Sequence, residues 1–277
     1  MRDLIALPKI DCHLHRVEPA LFPYRAETAY VPAGQEIGTL AQMRAVFGAL
    51  GVTKALLVQP TSGYGPENGV MLDAIARSGL SWRGMAVVGP ETSLEALAAL
   101  KQAGVVGVTY HLTAHPPGHY RGFAALAEKL AALDMIIDVQ FAGEGVFEAW
   151  ELLKDLPVRV AIDHCGVPDL AAGLTSPGFK ALLNFATRPA ETVIKLSGYH
   201  KFAPFPWPFE AAHGAVAALI GAFTPGRCVW GSDWPFLRVT ERVDYAPLPV
   251  LMAKLVADDA ALAQIFYHTA ERFFWGG

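Results

Sequence analysis

The chain has 277 residues, of which 53% are hydrophobic and 17% are charged, and its formal net charge is −4. This balance allows a sizeable buried core and excludes an intrinsically disordered chain. Acidic and basic residues are scattered, so no basic run or acidic tail indicates a nucleic-acid partner. The cysteines Cys12, Cys165 and Cys228 are far apart, which argues against a disulfide framework and fits a reducing compartment.

The N-terminus and the apolar runs indicate where the protein acts. A charged strand pattern begins by residue 9, which is too early for the hydrophobic region of a secretory signal. The longest apolar helical run, 215–223, is too short to cross a bilayer. We therefore expect a cytoplasmic protein with a small-molecule substrate and with no membrane or nucleic-acid partner. The sequence leaves self-association into an oligomer open.

Short β-rich runs alternate with longer amphipathic runs along the whole chain. The predicted strands are 9–15, 54–59, 83–89, 105–111, 135–141, 158–164, 193–197 and 228–233. The predicted helices are 39–50, 68–78, 93–103, 123–133, 146–153, 178–186, 211–223 and 260–274. Such alternation indicates a parallel sheet covered by helices. Eight units in roughly 250 residues are typical of a (β/α)8 TIM barrel.

A doubly wound open sheet is the alternative architecture for the same alternation. Against it, no glycine-rich phosphate-binding turn follows the first predicted strand. No linker-like change in composition divides the chain. The sequence therefore predicts an α/β fold, with residues 1–277 forming a single (β/α)8 barrel domain.

The first predicted strand ends in the motif Asp11-Cys12-His13-Leu14-His15. Residues two apart in a strand point to the same side. We therefore expect His13 and His15 to project together, with Asp11 in the same row. Ionisable side chains grouped on one face need water, a metal or a ligand, because burying them unpaired is costly.

Polar residues recur where other predicted strands end. In a (β/α)8 barrel, the active site lies at the carboxyl ends of the strands. The polar residues near these ends include Ser62, Tyr64, His111, Gln140, His164, Tyr199 and Asp233. The third predicted strand is the exception, because it runs into Gly89 and Pro90 without a polar side chain. This arrangement predicts a functional site at one end of the barrel.

Three motifs carry a resemblance to a known family. They are IDCHLH at 10–15, AIDHCGVPD at 161–169 and WGSDWPF at 230–236, supported by LLVQPTSGYG at 56–65, VIKLSG at 193–198 and ERFF at 271–274. In this order they resemble the amidohydrolase-related (amidohydrolase 2) family, in particular the branch with 2-pyrone-4,6-dicarboxylate lactonase and sugar lactonases. The resemblance covers nearly the whole chain. It implies a (β/α)8 barrel that hydrolyses small cyclic esters, with decarboxylases as relatives.

The resemblance assigns His13 and His15 to the strand 1 pair, His164 to the strand 6 histidine and Asp233 to the strand 8 aspartate. Metal-dependent members place a histidine at the end of strand 5, where this chain has Gln140. Glutamine is a poor ligand for zinc. The first expectation is therefore that no cofactor is required. The alternative is a single divalent metal, Zn or Mn, on His13, His15 and Asp233.

This chain differs from the dicarboxylate lactonase at two positions that bear on the expected substrate. The dicarboxylate lactonase has an arginine on strand 4 and another just after the strand 6 histidine, where this chain has Thr109 and Val167. Two bidentate carboxylate contacts are therefore missing. A neutral or singly charged lactone is expected instead, with one carboxylate within reach of Arg16, Arg25, Lys201 or Arg238.

Opening a lactone requires a nucleophilic water and an electrophilic carbonyl. The hypothesis is that Asp233 acts as general base, while His13, His15 and His164 donate N–H groups to the carbonyl oxygen. Predicted substrate contacts are Ser62, Tyr64, His111, Gln140, Tyr199, Lys201 and Trp234. The alternatives are a metal-dependent hydrolase, a non-oxidative decarboxylase of the same superfamily, and a catalytically inactive barrel that binds a ligand.

Overall fold

A computed structural model of the protein describes residues 3–79 and 81–276; residues 1, 2, 80 and 277 of the predicted domain lie outside these ranges. Eight parallel strands form one sheet in which each strand pairs with the next in sequence order. They are β1 (Lys9–Leu14), β2 (Val52–Val58), β3 (Arg83–Ala86), β4 (Val105–His111), β5 (Ile136–Gln140), β6 (Val160–Ile162), β7 (Thr192–Leu196) and β8 (Cys228–Trp230). All eight predicted strands are confirmed, and the sequential order excludes the doubly wound alternative.

The first and last strands meet and nearly close the sheet into a barrel. Just beyond β8, the backbone N–H of Asp233 donates to the carbonyl oxygen of His13 at 2.7 Å. The N–H of His15 donates to the carbonyl oxygen of Trp234 at 2.8 Å. The predicted (β/α)8 architecture is thereby confirmed, and the HxH motif lies beside the strand 8 motif.

Helices lie between the strands and cover the barrel. They are α1 (Leu40–Leu50), α2 (Thr61–Tyr64), α3 (Gly69–Arg77), α4 (Leu94–Gln102), α5 (Ala124–Ala132), α6 (Gly145–Leu153), α7 (Pro177–Asn184), α8 (His213–Phe223), α9 (Pro247–Leu255) and α10 (Asp259–Ala263). Two π-helical turns, Gln264–His268 and Glu271–Trp275, extend the last helix. Within the described ranges, no helix is both long enough and apolar enough to span a bilayer.

The helix starts follow from local sequence. Thr39, Ser93, Ser176 and Asp258 each precede a helix and accept a hydrogen bond from the backbone N–H three residues later. Helix α9 escaped prediction because prolines at 247 and 249 resemble helix breakers, whereas the first turn of a helix tolerates proline.

Two apolar clusters hold the barrel. The inner cluster takes side chains from the strands, among them Ile10, Leu56, Met85, Ile136 and Val229, with Phe273 and Phe274 at one end. The larger outer cluster joins the strands to the covering helices. The three cysteines are buried and unpaired, as their spacing predicts. Apolar side chains inside the barrel and between the strands and helices therefore pack around the polar end of the barrel.

The pairing of β1 with β2 is irregular at the HxH motif. Asp11 pairs with Ala55, yet the next pair is Leu14 with Leu57, so β1 has one extra residue there. The Asp11 carboxylate accepts hydrogen bonds from the Ser232 N–H at 2.9 Å and from the Tyr245 hydroxyl at 2.8 Å. The prediction that Asp11 shares a row with the histidines is therefore wrong. Asp11 instead ties β1 to the segment after β8.

Candidate functional site

A cavity of 270 Å³ opens at the carboxyl ends of the strands. Seven predicted site residues line it: His13, His15, Ser62, His111, Gln140, His164 and Lys201. Asp233 lies against these residues and is only 1% exposed. The structure therefore brings the three sequence motifs together at one place, although they are up to 220 positions apart (residue 13 to residue 233).

The two oxygens of the Asp233 carboxylate face different groups. Three imidazole nitrogens surround Oδ1: His15 Nε2 at 3.5 Å, His13 Nε2 at 3.6 Å and His164 Nε2 at 3.8 Å. Oδ2 lies 3.0 Å from Lys201 Nζ and 3.1 Å from His200 Nε2. The carboxylate therefore connects the histidine cluster to an ammonium group on the cavity wall.

The charge state of Asp233 follows from these neighbours. Burial alone would raise the pKa of its carboxyl group, but the Lys201 ammonium and, after it, His164 hold the pKa well below its usual range. Asp233 is therefore ionised at neutral pH and accepts hydrogen bonds or protons only.

The partners of the Nδ1 atoms fix the tautomers of His15 and His13. Nδ1 of His15 lies 2.8 Å from the carbonyl oxygen of Val58, which only accepts, so Nδ1 carries a hydrogen. Nδ1 of His13 lies 3.0 Å from Asp163 Oδ1 and 3.3 Å from Lys195 Nζ. Lys195 has closer carboxylate partners, so the shorter contact, to Asp163, sets the tautomer of His13. His13 therefore donates its Nδ1–H to Asp163. Burial lowers the pKa of His13 to about 4, so the ring is neutral.

His13 is neutral, and its Nδ1–H tautomer presents a bare Nε2 to the cavity; the Nδ1–H tautomer of His15 does the same. His13 Nε2 and His15 Nε2 are then acceptors that face another acceptor, Asp233 Oδ1. His164 differs, because its Nδ1 lies 3.1 Å from the Ser197 hydroxyl, which can donate, and its Nε2 is then free to carry a hydrogen. Of the three histidines expected to donate to a carbonyl oxygen, His164 is the one whose contacts leave an Nε2–H available, and the roles of all three stay a prediction.

The donor set at this point fits a divalent cation. Ligand atoms of His13, His15 and Asp233 lie within 4.8 Å of one another, as do those of His13, Asp163 and His164. The three atoms His13 Nε2, His15 Nε2 and Asp233 Oδ1 are all acceptors that face one another, so a cation between them would be bound favourably. Imidazole nitrogen and carboxylate oxygen are ordinary ligands of Zn²⁺ and Mn²⁺.

The backbone that carries the site is strained. His164 has a φ of 50° and Asp233 a φ of 65°, in the left-handed region that non-glycine residues seldom adopt. Cys165, Val167, Phe236 and Arg238, in the same two loops, also have positive φ. Strain of this kind persists where the surrounding structure enforces it and is concentrated at functional sites.

Gly198 gives a test of how closely His164 is held. A Cβ atom at this position would lie 2.5 Å from His164 Nδ1, and its φ of 64° disfavours alanine. We expect Gly198→Ala to displace the His164 ring and to lower kcat/KM by about 10²-fold. Gly221→Ala, where a Cβ meets nothing within 4 Å, is the matched control and should leave activity unchanged. Full activity of Gly198→Ala would show that the position of His164 is not critical.

A buried group of charges that sequence reasoning missed lies beneath the histidines. Lys195 Nζ is 2.7 Å from Asp138 Oδ1 and 2.9 Å from Asp163 Oδ1, and all three residues are at most 1% exposed. Burial lowers the pKa of the Lys195 ammonium, but the two carboxyl groups raise it above its usual value. Burial and the nearby Asp163 raise the pKa of Asp138 well above its usual range, so Asp138 is the neutral member.

Asp163 is the ionised member of this group. Burial alone would raise its pKa, but His13 and Lys195 hold the pKa well below its usual range. Its carboxylate therefore orients His13 from below. The sequence signal was a lysine inside the apolar stretch VIKLSG, which a strand buried on both faces does not otherwise accommodate.

Three predicted substrate contacts lie away from the cavity wall. The Tyr64 hydroxyl accepts a hydrogen bond from the Glu18 N–H, and the Tyr199 ring stacks on Phe209. Trp234 packs where a Cβ on Gly38 would lie. All three are large rings that pack against the neighbouring loops, and their interpretation as substrate contacts stays a prediction.

Of the four basic residues predicted to bind a substrate carboxylate, two are paired elsewhere and two line the cavity. Arg16 pairs with Glu18 and Asp73, and Arg25 pairs with Glu67. Lys201 and Arg238 line the cavity. Other wall residues that the sequence prediction omitted include Gln59 and Thr109, and their signal was a polar side chain at the end of an apolar strand.

The chain is similar to known proteins over nearly its whole length. The family model described as Amidohydrolase matches residues 10–275. The chain is 29% identical to the 4-sulfomuconolactone hydrolase of Rhizobium radiobacter over 281 residues, which covers 97% of this chain and 91% of that protein. It is 28% identical to the 2-pyrone-4,6-dicarboxylate hydrolase of Comamonas testosteroni over 279 residues, which covers 96% and 90%.

A solved structure shows the same fold. The crystal structure of a probable 2-pyrone-4,6-dicarboxylic acid hydrolase from Acinetobacter baumannii, with citric acid bound, has a TM-score of 0.85 and 23% identity, covering 96% of this chain and 99% of that one. The resemblance inferred from the three motifs is thereby confirmed. Because the family model matches nearly the whole chain, this protein belongs to the amidohydrolase family, a family of enzymes.

Proposed function

We propose that this protein hydrolyses a small lactone, with Asp233 as the group that takes the proton of the attacking water. The observation that carries the proposal is an ionised, buried carboxylate with imidazoles on one oxygen and an ammonium group on the other, at the edge of a small cavity. The printed names of two relatives, a sulfomuconolactone hydrolase and a pyrone-dicarboxylate hydrolase, support lactone hydrolysis.

The acceptor atoms suit a water molecule. Without a cation, the water gives one hydrogen to Asp233 Oδ1, which takes the proton that leaves during attack, and donates the other to Nε2 of His13 or of His15. The water oxygen bonds to the carbonyl carbon. When the tetrahedral intermediate collapses, the ring C–O bond breaks and the proton on Asp233 passes to the leaving oxygen. The product is the open hydroxy acid, which ionises at neutral pH.

The carbonyl oxygen needs donors as negative charge develops on it. His164 Nε2 and Lys201 Nζ are donors that lie beside Asp233 and remain available to the carbonyl oxygen. Hydrogen bonds to a developing oxyanion strengthen in the transition state, and loss of one such donor typically costs about 10²–10³ in kcat. His164 and Lys201 therefore take the part that the sequence analysis gave to three histidines.

A divalent cation would be held by His13, His15 and Asp233, whose converging acceptor atoms fit it. Such an ion supplies Lewis-acid chemistry and makes a nearby water more acidic. The sequence alone favours a reaction without a metal, because Gln140 replaces the strand 5 histidine. The tautomers of His13 and His15 favour a bound cation, and the metal content of the purified protein tests this.

We expect elemental analysis of the purified protein to find about one equivalent of Zn²⁺ or Mn²⁺ per chain. His15→Ala should lose this metal, whereas the control His268→Ala, at an exposed position, should retain it. Chelation should abolish hydrolysis of γ- and δ-lactones, followed as acid release. Metal-free protein with hydrolysis unaffected by chelator would contradict the cation and leave Asp233, His164 and Lys201 acting alone. If none of the lactones is opened, with or without metal, the proposed function itself fails.

A further inference from the structure

The cavity wall carries two side-chain cations that differ in their surroundings, Lys201 and Arg238. Lys201 Nζ lies 3.0 Å from Asp233 Oδ2, so its charge is already paired within the site. Among residues 3–79 and 81–276, no carboxylate forms an ion pair with the Arg238 guanidinium, and its side-chain N–H groups donate no hydrogen bond. Arg238 is therefore an exposed cation of the cavity wall, whose guanidinium donors have no protein partner among these residues.

Arg238 is nevertheless held in a defined position. Its guanidinium carbon lies 4.4 Å from the centre of the Tyr30 ring, a cation–π contact. Glu36 accepts hydrogen bonds from the Arg238 backbone N–H and from the Tyr30 hydroxyl, the latter at 2.7 Å. The ring contact places the guanidinium, and its N–H groups have no hydrogen-bond acceptor among the described residues. A fork of donors fixed in this way matches a carboxylate.

The rest of the wall adds hydroxyl groups and no further free charge. Thr61, Ser62 and Thr113 line the same cavity, and the buried hydroxyl of Thr109 has no hydrogen-bond partner. The two carboxylates nearest the cavity, Asp163 and Asp233, already face Lys195 and Lys201 respectively. The wall therefore offers one unpaired positive charge to a ligand.

We propose that Arg238 selects lactones that carry a single carboxylate on the ring, over neutral lactones and over dicarboxylates. This rests on the proposed lactone hydrolysis and defines its substrate class. A neutral ring offers the guanidinium no charged partner. A second carboxylate would be desolvated without a free cation, since Lys201, the other side-chain cation of the wall, is paired with Asp233.

Three related lactones test the inference: paraconate, a γ-lactone with one ring carboxylate; paraconamide, its neutral amide; and isocitrate lactone, a dicarboxylate. We expect the wild-type protein to prefer paraconate to both others by at least about tenfold in kcat/KM. Arg238→Gln should raise KM for paraconate by about 10- to 100-fold with little change in kcat, and should leave paraconamide unaffected. Arg242→Gln, an exposed arginine paired with Asp244 in the same loop, is the matched control.

An unchanged preference in Arg238→Gln overturns the assignment. Cyclopentanecarboxylate, which has no ester to hydrolyse, separates this failure from failure of the proposed function. If no lactone is opened, binding of cyclopentanecarboxylate to the wild type and to Arg242→Gln but not to Arg238→Gln, measured by ligand-observed NMR, still supports the anion site. Absence of binding to the wild type overturns it.

Discussion

Replacing Asp233 by asparagine is expected to lower kcat/KM for lactone hydrolysis by about 10²- to 10⁴-fold. The amide keeps the size and shape of the side chain but cannot take a proton from water. It also removes the negative charge that faces Lys201 Nζ at 3.0 Å. The rate should therefore fall with either mechanism, with a cation on the histidines or without one. The measurement is steady-state hydrolysis of a lactone by wild type and by Asp233→Asn.

Two controls show whether such a loss is chemical. Asp155→Asn, an exposed aspartate, should have wild-type activity and stability. Ligand-observed NMR with cyclopentanecarboxylate should show that Asp233→Asn still binds an anion at the cavity. Wild-type hydrolysis by Asp233→Asn would remove the general base from the mechanism. A wild-type protein that binds but never hydrolyses would instead be the ligand-binding barrel, the alternative that the sequence leaves open.

The fold was predictable because its signals are local and repeated. Each strand is a short apolar run followed by a helical pattern, and these runs place all eight strands within a few residues of their observed bounds. The convergence of the HxH pair with His164 and Asp233 follows from the same pattern, because parallel strands end on one side of a barrel. Helix α9 was missed where prolines gave a misleading local signal.

The hydrogen-bonding roles at the site were not predictable. Whether His15 donates or accepts depends on the Val58 carbonyl oxygen, 43 positions away, and His13 depends on Asp163, 150 positions away. Spacing in the sequence indicates that such residues meet, but not which atom of each ring faces the cavity. The same holds for Arg238, whose contact with the Tyr30 ring, 208 positions away (residue 30 to residue 238), is evident only in the folded chain.

Replacing Lys195 by methionine is expected to lower the free energy of unfolding by about 3–5 kcal/mol. Lys195 is fully buried and is the cation that faces both Asp138 and Asp163. Asp138 is neutral, so its partner can be removed at little cost, but Asp163 is ionised and would be left without its ammonium partner. Taking away one member of a buried ion pair costs far more than replacing both by uncharged groups. Urea unfolding of the two proteins measures the difference.

A second variant identifies the charge as the cause. Lys195→Met/Asp163→Asn removes both charges. Its loss of unfolding free energy should therefore be smaller than the sum of the losses in the two single variants. Lys180→Met, an exposed lysine on α7, should unfold like the wild type. A loss below about 1 kcal/mol for Lys195→Met would mean that no ionised carboxylate depends on this lysine. Asp163 would then be protonated, and it could no longer hold the Nδ1–H tautomer of His13 that turns the bare Nε2 toward Asp233.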